Sequence, residues 1–341
     1  MRPTIYDVAE RAGVSIATVS RVLNGSPKPT AATRDRVLAA VRTLGYQPSA
    51  AARCLARSTT ETIALVFPEV SSPFFVELIR GIELEARRHH YHVLIYGLHG
   101  EGKQDQLLRF LSTKVDGMIL GAQCDEAYVR TLHRQGLPFV LMGRRVEGLA
   151  VTTIRSNGFE GAYAAVTHLI RHGYGSIAAL GGPEASQQSR IRLRAYAQAL
   201  DDHGWHSDVR WIVHADYHES GGQAAMAGLL ALSRPPRAVF VANDQMAIGA
   251  LEAVRDAGKQ VPGDVALVGF DDIPMASYVH PTLTTVRQDI YESGELAVQL
   301  LIRQIEDPAT SVETILLPTR LVIRQSCGCD EREVHHPNSG V

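Results

Sequence analysis

The sequence predicts a small all-α head followed by an α/β body built on two doubly wound parallel sheets. Three features carry that expectation: a sharp division of charge, helical apolar spacing in the first 60 residues, and β-branched runs alternating with amphipathic helices after Glu61. The formal net charge of −2 hides the division. Residues 1–60 hold nine Lys or Arg and three acids, a net +6, which leaves −8 for the remainder. A basic head on an acidic body points to a polyanionic partner for the head alone. With 45% hydrophobic and 21% charged residues in 341, there is ample material for large cores, and disordered or collagen-like classes are excluded. The longest apolar runs, such as Ala224–Leu232, are too short to span a bilayer, and the N-terminus shows no apolar signal region. Four Cys (Cys54, Cys124, Cys327, Cys329) are too few for a disulfide scaffold, so a reducing cytoplasm is the expected compartment.

The head reads as three helices. Thr4 is a fitting N-cap, with Asp7 three residues on, and Ile5, Val8, Ala9 and Ala12 form one apolar face. Gly13-Val14-Ser15 breaks the helix. Ser15 then caps Ile16–Leu23, which Asn24-Gly25 ends. Pro29-Thr30 opens a third helix to Leu44, with Gly45 as its terminator and Val37, Leu38, Val41 and Leu44 as its buried face. Two short helices across a Gly-containing turn are a helix-turn-helix signature, though other three-helix units share it. The +6 charge and the small residues Ser15, Ala17 and Thr18 at the start of the second helix favour a DNA reader, because they let that helix end sit deep in a major groove.

Residues 4–25, T-I-Y-D-V-A-E-R-A-G-V-S-I-A-T-V-S-R-V-L-N-G, and residues 44–57, L-G-Y-Q-P-S-A-A-A-R-C-L-A-R, closely resemble the head of the lactose-repressor (LacI/GalR) family of transcription regulators. The resemblance implies that Ile16, Ala17 and Arg21 face base edges. Arg21 is then the candidate for a bidentate contact to guanine, while Ile16 and Ala17 offer only apolar contact. It places Thr4, Tyr6, Ser15, Thr18, Ser20 and Asn24 mainly on phosphates, with plain packing or capping as the alternative for Tyr6 and Ser20. Residues 47–60 are too short and Ala-rich for a helix that stands alone. By resemblance they form a hinge helix that pairs with a second copy in the minor groove, with Leu55 as a wedge, or else as a core residue. Ser49 and Ala56 depart from the Asn and Lys found there in family members, which affects the strength of the hinge.

In the body, Ile63–Phe67, Val93–Tyr96, Gly117–Leu120, Phe139–Met142, Ile177–Leu180, Trp211–His214, Ala238–Val241 and Val265–Phe270 read as buried parallel strands. Phe74–His90, Gly158–His172, Ile191–His203 and Asp244–Ala257 read as helices between them. So many strands need two sheets, with ligands at the strand C-terminal ends. Leu283–Gln288, the helix Tyr291–Gln304 and Thr314–Ile323 lack a domain of their own and are expected to cross back between the sheets.

The segments P-E-V-S-S-P-F-F, V-D-G-M-I-L, H-L-I-R-H-G-Y, V-A-N-D-Q-M-A-I-G-A, V-G-F-D-D-I-P and L-T-T-V-R-Q-D resemble the periplasmic-binding-protein-like core of the same family. The implied organisation is a helix-turn-helix domain at 1–46, a hinge at 47–60, an effector-binding and dimerisation core at 61–326, and a tail at 327–341. The core divides into an N-lobe of about 61–157 and 289–318 and a C-lobe of about 158–288 and 319–326. The resemblance places a small effector between the lobes, with Phe74 and Phe75 on the N-lobe and Arg192, Tyr217, Asn243 and Asp271 on the C-lobe. Their chemistry suits a polyhydroxylated ligand: Asp accepts from hydroxyls, Arg donates a planar fork, Asn does both, and an aromatic ring covers a C–H face. Blander roles remain: Asn243-Asp244 reads as a cap for the following helix, Asp244 foremost, Asp271-Asp272 as a turn pair, and Phe74 as core.

Three departures bear on specificity. A-D-Y-H-E-S-G is one residue shorter than the family pattern, so Tyr217 and His218 compete for one role. Ser156 stands where an acid is common before Asn157. Arg144-Arg145 follow a strand near the expected cleft, which favours either an acidic ligand or plain surface exposure.

An enzyme fits poorly. There is no P-loop and no G-x-S-x-G elbow, and Gly173-Tyr-Gly175 precedes its strand, where a dinucleotide fingerprint must follow one. No cofactor or metal is expected. His89-His90 with His92 and His335-His336 lack ligand spacing, and Cys327-Gly-Cys329 reads as a lone pair without a second pair of ligands. The expectation is a cytoplasmic, effector-responsive repressor that binds near-palindromic operator DNA. Residues 330–341 hold no Leu heptad, so a homodimer is expected. Whether the effector acts as inducer or corepressor is left open.

Overall fold

Thr4 begins the first helix of the head, α1 (Ile5–Ala12), with a reciprocal capping box. Its backbone N–H and hydroxyl both donate to Asp7 Oδ2, at 2.6 and 2.8 Å, and its Oγ1 accepts from Asp7 N. Gly13 (φ +62°) ends the helix in the left-handed region, where a Cβ would be strained. Ser15 Oγ then accepts from Thr18 N at 3.2 Å to start α2 (Ile16–Leu23). Thr30 caps α3 (Ala31–Leu44), which Gly45 terminates. The three helices close over Val8, Ala9, Ala12, Val19, Val22, Val37, Ala40 and Tyr46. Leu38, expected inside, is 37% exposed; Ala40 takes the inward position instead.

The computed structural model describes residues 3–23, 25–46, 59–67, 72–97, 110–111, 114–206 and 208–329. Asn24 and most of the expected hinge, with Leu55, lie outside them. The chain divides into two units, residues 1–61 and 62–341.

The second unit holds two six-stranded sheets. The first is ordered β11-β5-β4-β3-β1-β2, from β1 (Thr62–Phe67), β2 (His92–Gly97), β3 (Gly117–Leu120), β4 (Phe139–Met142), β5 (Thr152–Ser156) and β11 (Thr314–Leu317). The second is ordered β12-β10-β9-β8-β6-β7, from β6 (Ile177–Gly181), β7 (Ile212–His214), β8 (Ala238–Val241), β9 (Ala266–Asp271), β10 (Thr284–Gln288) and β12 (Thr319–Val322). Every pairing is parallel except β10 with β12. Central strands such as β1, β6 and β8 are buried along nearly their whole length, which is why they read as unbroken apolar runs.

Helices cover both faces: α4 (Pro73–Arg88), α5 (Glu126–Gln135) and α10 (Ile290–Glu306) on the first sheet, and α6 (Gly158–Arg171), α7 (Gln187–Asp202), α8 (Glu219–Leu230) and α9 (Asp244–Asp256) on the second. α4 and α10 pack backbone to backbone. A Cβ on Gly81 would stand 2.2 Å from the Tyr291 carbonyl oxygen, and one on Gly294 2.5 Å from that of Leu78.

Several sequence expectations change. β2 and β7 are edge strands and only half-buried, with Ile95 44% exposed, because an edge has a neighbour on one side only. Trp211 lies in a single 3-10 turn before β7. β5 was not expected as a strand, since Thr152-Thr-Ile-Arg-Ser lacks an apolar run; Thr152 and Thr153 are nevertheless buried. α7 begins at Gln187, four residues earlier than expected, because Ser186 Oγ caps it through Ser189 N. The segment Thr314–Ile323 holds two strands, β11 and β12, one in each sheet on either side of Pro318. The chain thus passes between the sheets three times, after β5, β10 and β11. Cys327 is buried in the core of the second lobe, which therefore extends past residue 326. The Cys327–Cys329 pair does have a second pair of candidate ligands, His168 of α6 and His172, the residue that caps its C-terminus.

Candidate functional site

In the head, α2 presents the expected base-facing residues outward. Ile16, Ala17 and Arg21 are exposed, with Ile16 at 39%, while Val19 and Val22 on the opposite face hold the core. Ser15 and Thr18 are joined by a 2.9 Å hydrogen bond between their hydroxyls. Tyr6 is 68% exposed, which argues against a packing role, and Ser20 is half-buried. The Thr4 hydroxyl is engaged in its capping box.

In the second lobe, the C-terminal ends of β8 and β9 bring Asn243 and Asp271 beside Arg192 of α7. Arg192 is only 6% exposed. Its guanidinium lies over the Phe270 ring, 3.7 Å from the centroid, donates through Nη1 to the Ala242 carbonyl, and stands 3.8 Å from Asp271 Oδ1. Among the described residues, no partner meets its buried Nε. Gln288 Nε2 donates to Asp271 Oδ1 at 2.5 Å. Burial pushes the Asp271 carboxyl up to about 6, with the Arg192 guanidinium and the Gln288 amide opposing that rise. Asp271 (φ +119°) and Tyr217 (φ +73°) occupy strained backbone conformations, each costing roughly 1–3 kcal/mol. Such strain persists where surrounding contacts over-determine it.

Tyr217 and His218 take up different positions. The Tyr217 ring lies against Gly182, where a Cβ would come within 2.2 Å of it, and its hydroxyl bonds Ser186 Oγ at 2.9 Å. His218 is the residue preceding α8. Tyr217 therefore joins the cluster at the strand ends. Asn243 Oδ1 accepts from Met246 N and its Nδ2 donates to the Tyr217 carbonyl. Asn243, not Asp244, is thus the cap of α9. Asp244 is a fully buried cross-link that accepts from Thr285 Oγ1 at 2.5 Å and Ile273 N at 3.0 Å; its desolvation pushes its carboxyl well above the usual range. Asp272 is held by Arg287 and Arg324 and is structural.

On the first lobe, Phe75 packs on Phe67 at 5.2 Å between centroids, and Phe74 meets Phe75 edge-on at 5.3 Å. Both partly line the core, and both stand at the N-terminus of α4, beside the end of β1. Gln187 and Gln188 were not anticipated. Gln188 donates to the Gly143 carbonyl, and Gln187 Oε1 accepts from Arg145 N at 3.1 Å, so the start of α7 reaches the other lobe. Arg144 departs from simple surface exposure: its Nε and Nη2 are buried without partners among the described residues, as is Arg155 Nε.

A helix-turn-helix head followed by two lobes with polar groups gathered at their strand ends defines a DNA-binding transcription regulator with a ligand-sensing body. Residues 4–49 match the family model of bacterial regulatory proteins of the lacI family, and residues 166–327 match the periplasmic binding protein-like domain. The chain is 34% identical over 332 residues to catabolite control protein A of Priestia megaterium, covering 96% of this chain and 99% of that one. It is 36% identical over 326 residues to the transcriptional repressor CytR of Escherichia coli K12, covering 95% and 96%. Among solved structures it resembles the Lac repressor dimer bound to operator and the anti-inducer ONPF, at 28% identity and a TM-score of 0.86, covering 96% of this chain and 99% of that one. It also resembles the complex of the transcriptional regulator CelR with cellobiose, at 31% identity and a TM-score of 0.74, covering 95% and 100%. The chain belongs to the lacI family of bacterial regulatory proteins. Among the described residues, no helix is long and apolar enough to cross a membrane.

Proposed function

We propose that this regulator is a cytoplasmic, non-enzymatic repressor that binds a near-palindromic operator as a homodimer and takes a sugar-like effector between its lobes. The observation that carries the effector reading is the cluster of Arg192, Asp271, Asn243 and Tyr217 at the C-terminal ends of one sheet, with Arg192 Nε buried and unpartnered among the described residues. The CelR–cellobiose complex supports a sugar-like class. The buried nitrogens of Arg144, Arg155 and Arg192, unpartnered among the described residues, favour an acidic derivative, a sugar acid or sugar phosphate, over a neutral sugar. Phe74 and Phe75 supply the apolar face.

On the DNA, Arg21 reads a base, Ile16 and Ala17 make apolar base contacts, and Tyr6, Ser15, Thr18, Ser20 and Asn24 hold phosphates. Thr4 contributes mainly by capping its helix. Leu55 acts as the minor-groove wedge of the hinge at residues 47–60. Dimerisation follows from the Lac repressor dimer and from the exposed apolar Val76, Ile95 and Tyr96 of α4 and β2. Effector binding changes the angle of the lobes about their three crossings, and its coupling to operator affinity is reciprocal.

A thermal-shift screen of neutral sugars, sugar acids, sugar phosphates and nucleobases tests the effector class, because a ligand selective for the native state raises the melting temperature. The expected hit is an anionic sugar whose shift disappears in Arg192→Ala. A hit confined to nucleobases, or an undiminished shift in that variant, rejects the assignment.

A further inference from the structure

The end of α6 and the turn after β12 meet far from the strand-end cluster. His168 of α6 and His172, the C-cap of that helix, stand four residues apart, so both imidazoles face the same side, with ring centroids 4.6 Å apart. Cys327 and Cys329 approach them from the turn. Cys329 Sγ lies 3.0 Å from His172 Nε2, 3.6 Å from His168 Nε2 and 3.4 Å from Cys327 Sγ. One ligand atom from each of the four residues lies within 4.8 Å of all the others. Zinc bonds of about 2.0–2.3 Å place tetrahedral ligand atoms about 3.3–3.8 Å apart. The cluster therefore needs only small side-chain adjustments to surround one ion.

The turn is built to hold its sulfurs there. Ser326 is tied to β9 and β10: its carbonyl accepts from Leu267 N at 2.9 Å, and its Oγ donates to the Leu267 carbonyl at 2.7 Å and accepts from Thr284 N at 2.8 Å. The Tyr174 hydroxyl donates to the Cys327 carbonyl at 2.9 Å. Gly328 (φ +89°) allows the reversal between the two cysteines, and a Cβ there would meet the Tyr174 hydroxyl oxygen at 2.6 Å. Thr284 Oγ1 donates to Cys327 Sγ at 3.1 Å, the kind of outer-shell hydrogen bond that steadies a metal-bound thiolate. Cys327 is buried and His172 exposed, so the cluster has an anchored floor and an entry path.

We propose that His168, His172, Cys327 and Cys329 bind one zinc(II) ion as a structural clasp between α6 and the turn after β12. Thiolates and imidazoles are the donors zinc prefers, and hard cations such as magnesium and calcium take oxygen instead. On binding, the two thiols release two protons to solvent. Two thiolates and two neutral imidazoles then surround the divalent ion, and the loaded site carries no net charge. Four protein ligands leave no open position, so the role is structural.

The test uses the full chain, purified under reducing conditions and stripped with a chelator. Cobalt(II) titration should saturate at one equivalent, with the strong visible bands of tetrahedral cobalt and near-ultraviolet thiolate charge transfer, and zinc(II) should bleach both. The stripped chain should melt about 5 °C or more below the zinc-loaded one. The Cys327→Ser/Cys329→Ser variant should lose the cobalt spectrum. A pale octahedral spectrum without charge transfer overturns the proposal, as does a Cys327–Cys329 disulfide as the resident state. The titration of the unsubstituted chain stands even if the variant misfolds.

Discussion

Asp271 carries a cost whose sign is measurable. Burial raises its carboxyl from 3.8 to about 6, so the folded chain holds that proton more tightly than the unfolded one. The stabilising effect of the proton is present at acid pH and is lost as pH rises from about 4 through about 6. At neutral pH the ionised group therefore costs roughly 1–3 kcal/mol, with the opposing pull of Arg192 already counted. We predict that Asp271→Asn matches or exceeds the parent in stability at pH 7.5, loses that advantage at pH 5, and no longer responds to effector. Thermal melts across this range check it; a variant destabilised only at pH 7.5 contradicts it. Single residues were unevenly legible in sequence. Thr4 and Ser15 were read as caps because their partners lie three residues away, and Pro29-Thr30 was read as the opening of α3, where Thr30 is the cap. Asp244 was favoured over Asn243 as the cap of α9, since choosing between adjacent polar residues requires knowing which one faces Thr285, 41 positions along the chain. His168 and His172 went unrecognised for the same reason: Cys327 and Cys329 lie more than 150 positions away and only folding joins them.

Among the elements, α7 ties the ligand site to the opening between the lobes. Its first turn sends Gln187 and Gln188 across to Arg145 N and the Gly143 carbonyl, while Arg192, one turn further on, sits among the ligand-site residues. Neutral hydrogen bonds are worth about 1 kcal/mol each, so removing both should weaken effector binding by roughly 10-fold or more if the effector favours this arrangement of the lobes. Calorimetry on Gln187→Ala/Gln188→Ala, with the ligand found in the thermal-shift screen, measures this; unchanged affinity removes α7 from the coupling. Strands were legible where they are central and apolar, as with β1, β6 and β8. β5 was not, because its Thr152, Thr153 and Arg155 break the apolar run, and the burial of Thr152 depends on a partner that periodicity does not reveal: its Oγ1 accepts from Gln304 Nε2 at 2.6 Å. The lobe bounds implied by the family resemblance put crossings near residues 157, 288 and 318, whereas apolar patterning alone does not. A break at Pro318 between strands of different sheets depends on which edge each strand meets, and that is a property of the assembled sheets.

For the protein as a unit in the cell, the uneven charge is the most consequential feature. Net −2 combines a +6 head with a −8 remainder, so two heads in a dimer would present +12 to a duplex. Exposed Arg21 at α2 places part of that charge where base contact is possible. A protein that neutralises several phosphates loses affinity steeply as salt rises, because each contact releases counterions. The most direct test is selection of binding sites by the full chain from a random duplex library, followed by titration of the enriched site at several salt concentrations. The account predicts enrichment of a near-palindromic sequence, a linear fall of log affinity with log salt, and loss of the preference but not of all binding in Arg21→Ala. Absence of an enriched sequence, or affinity that does not change with salt, would contradict it.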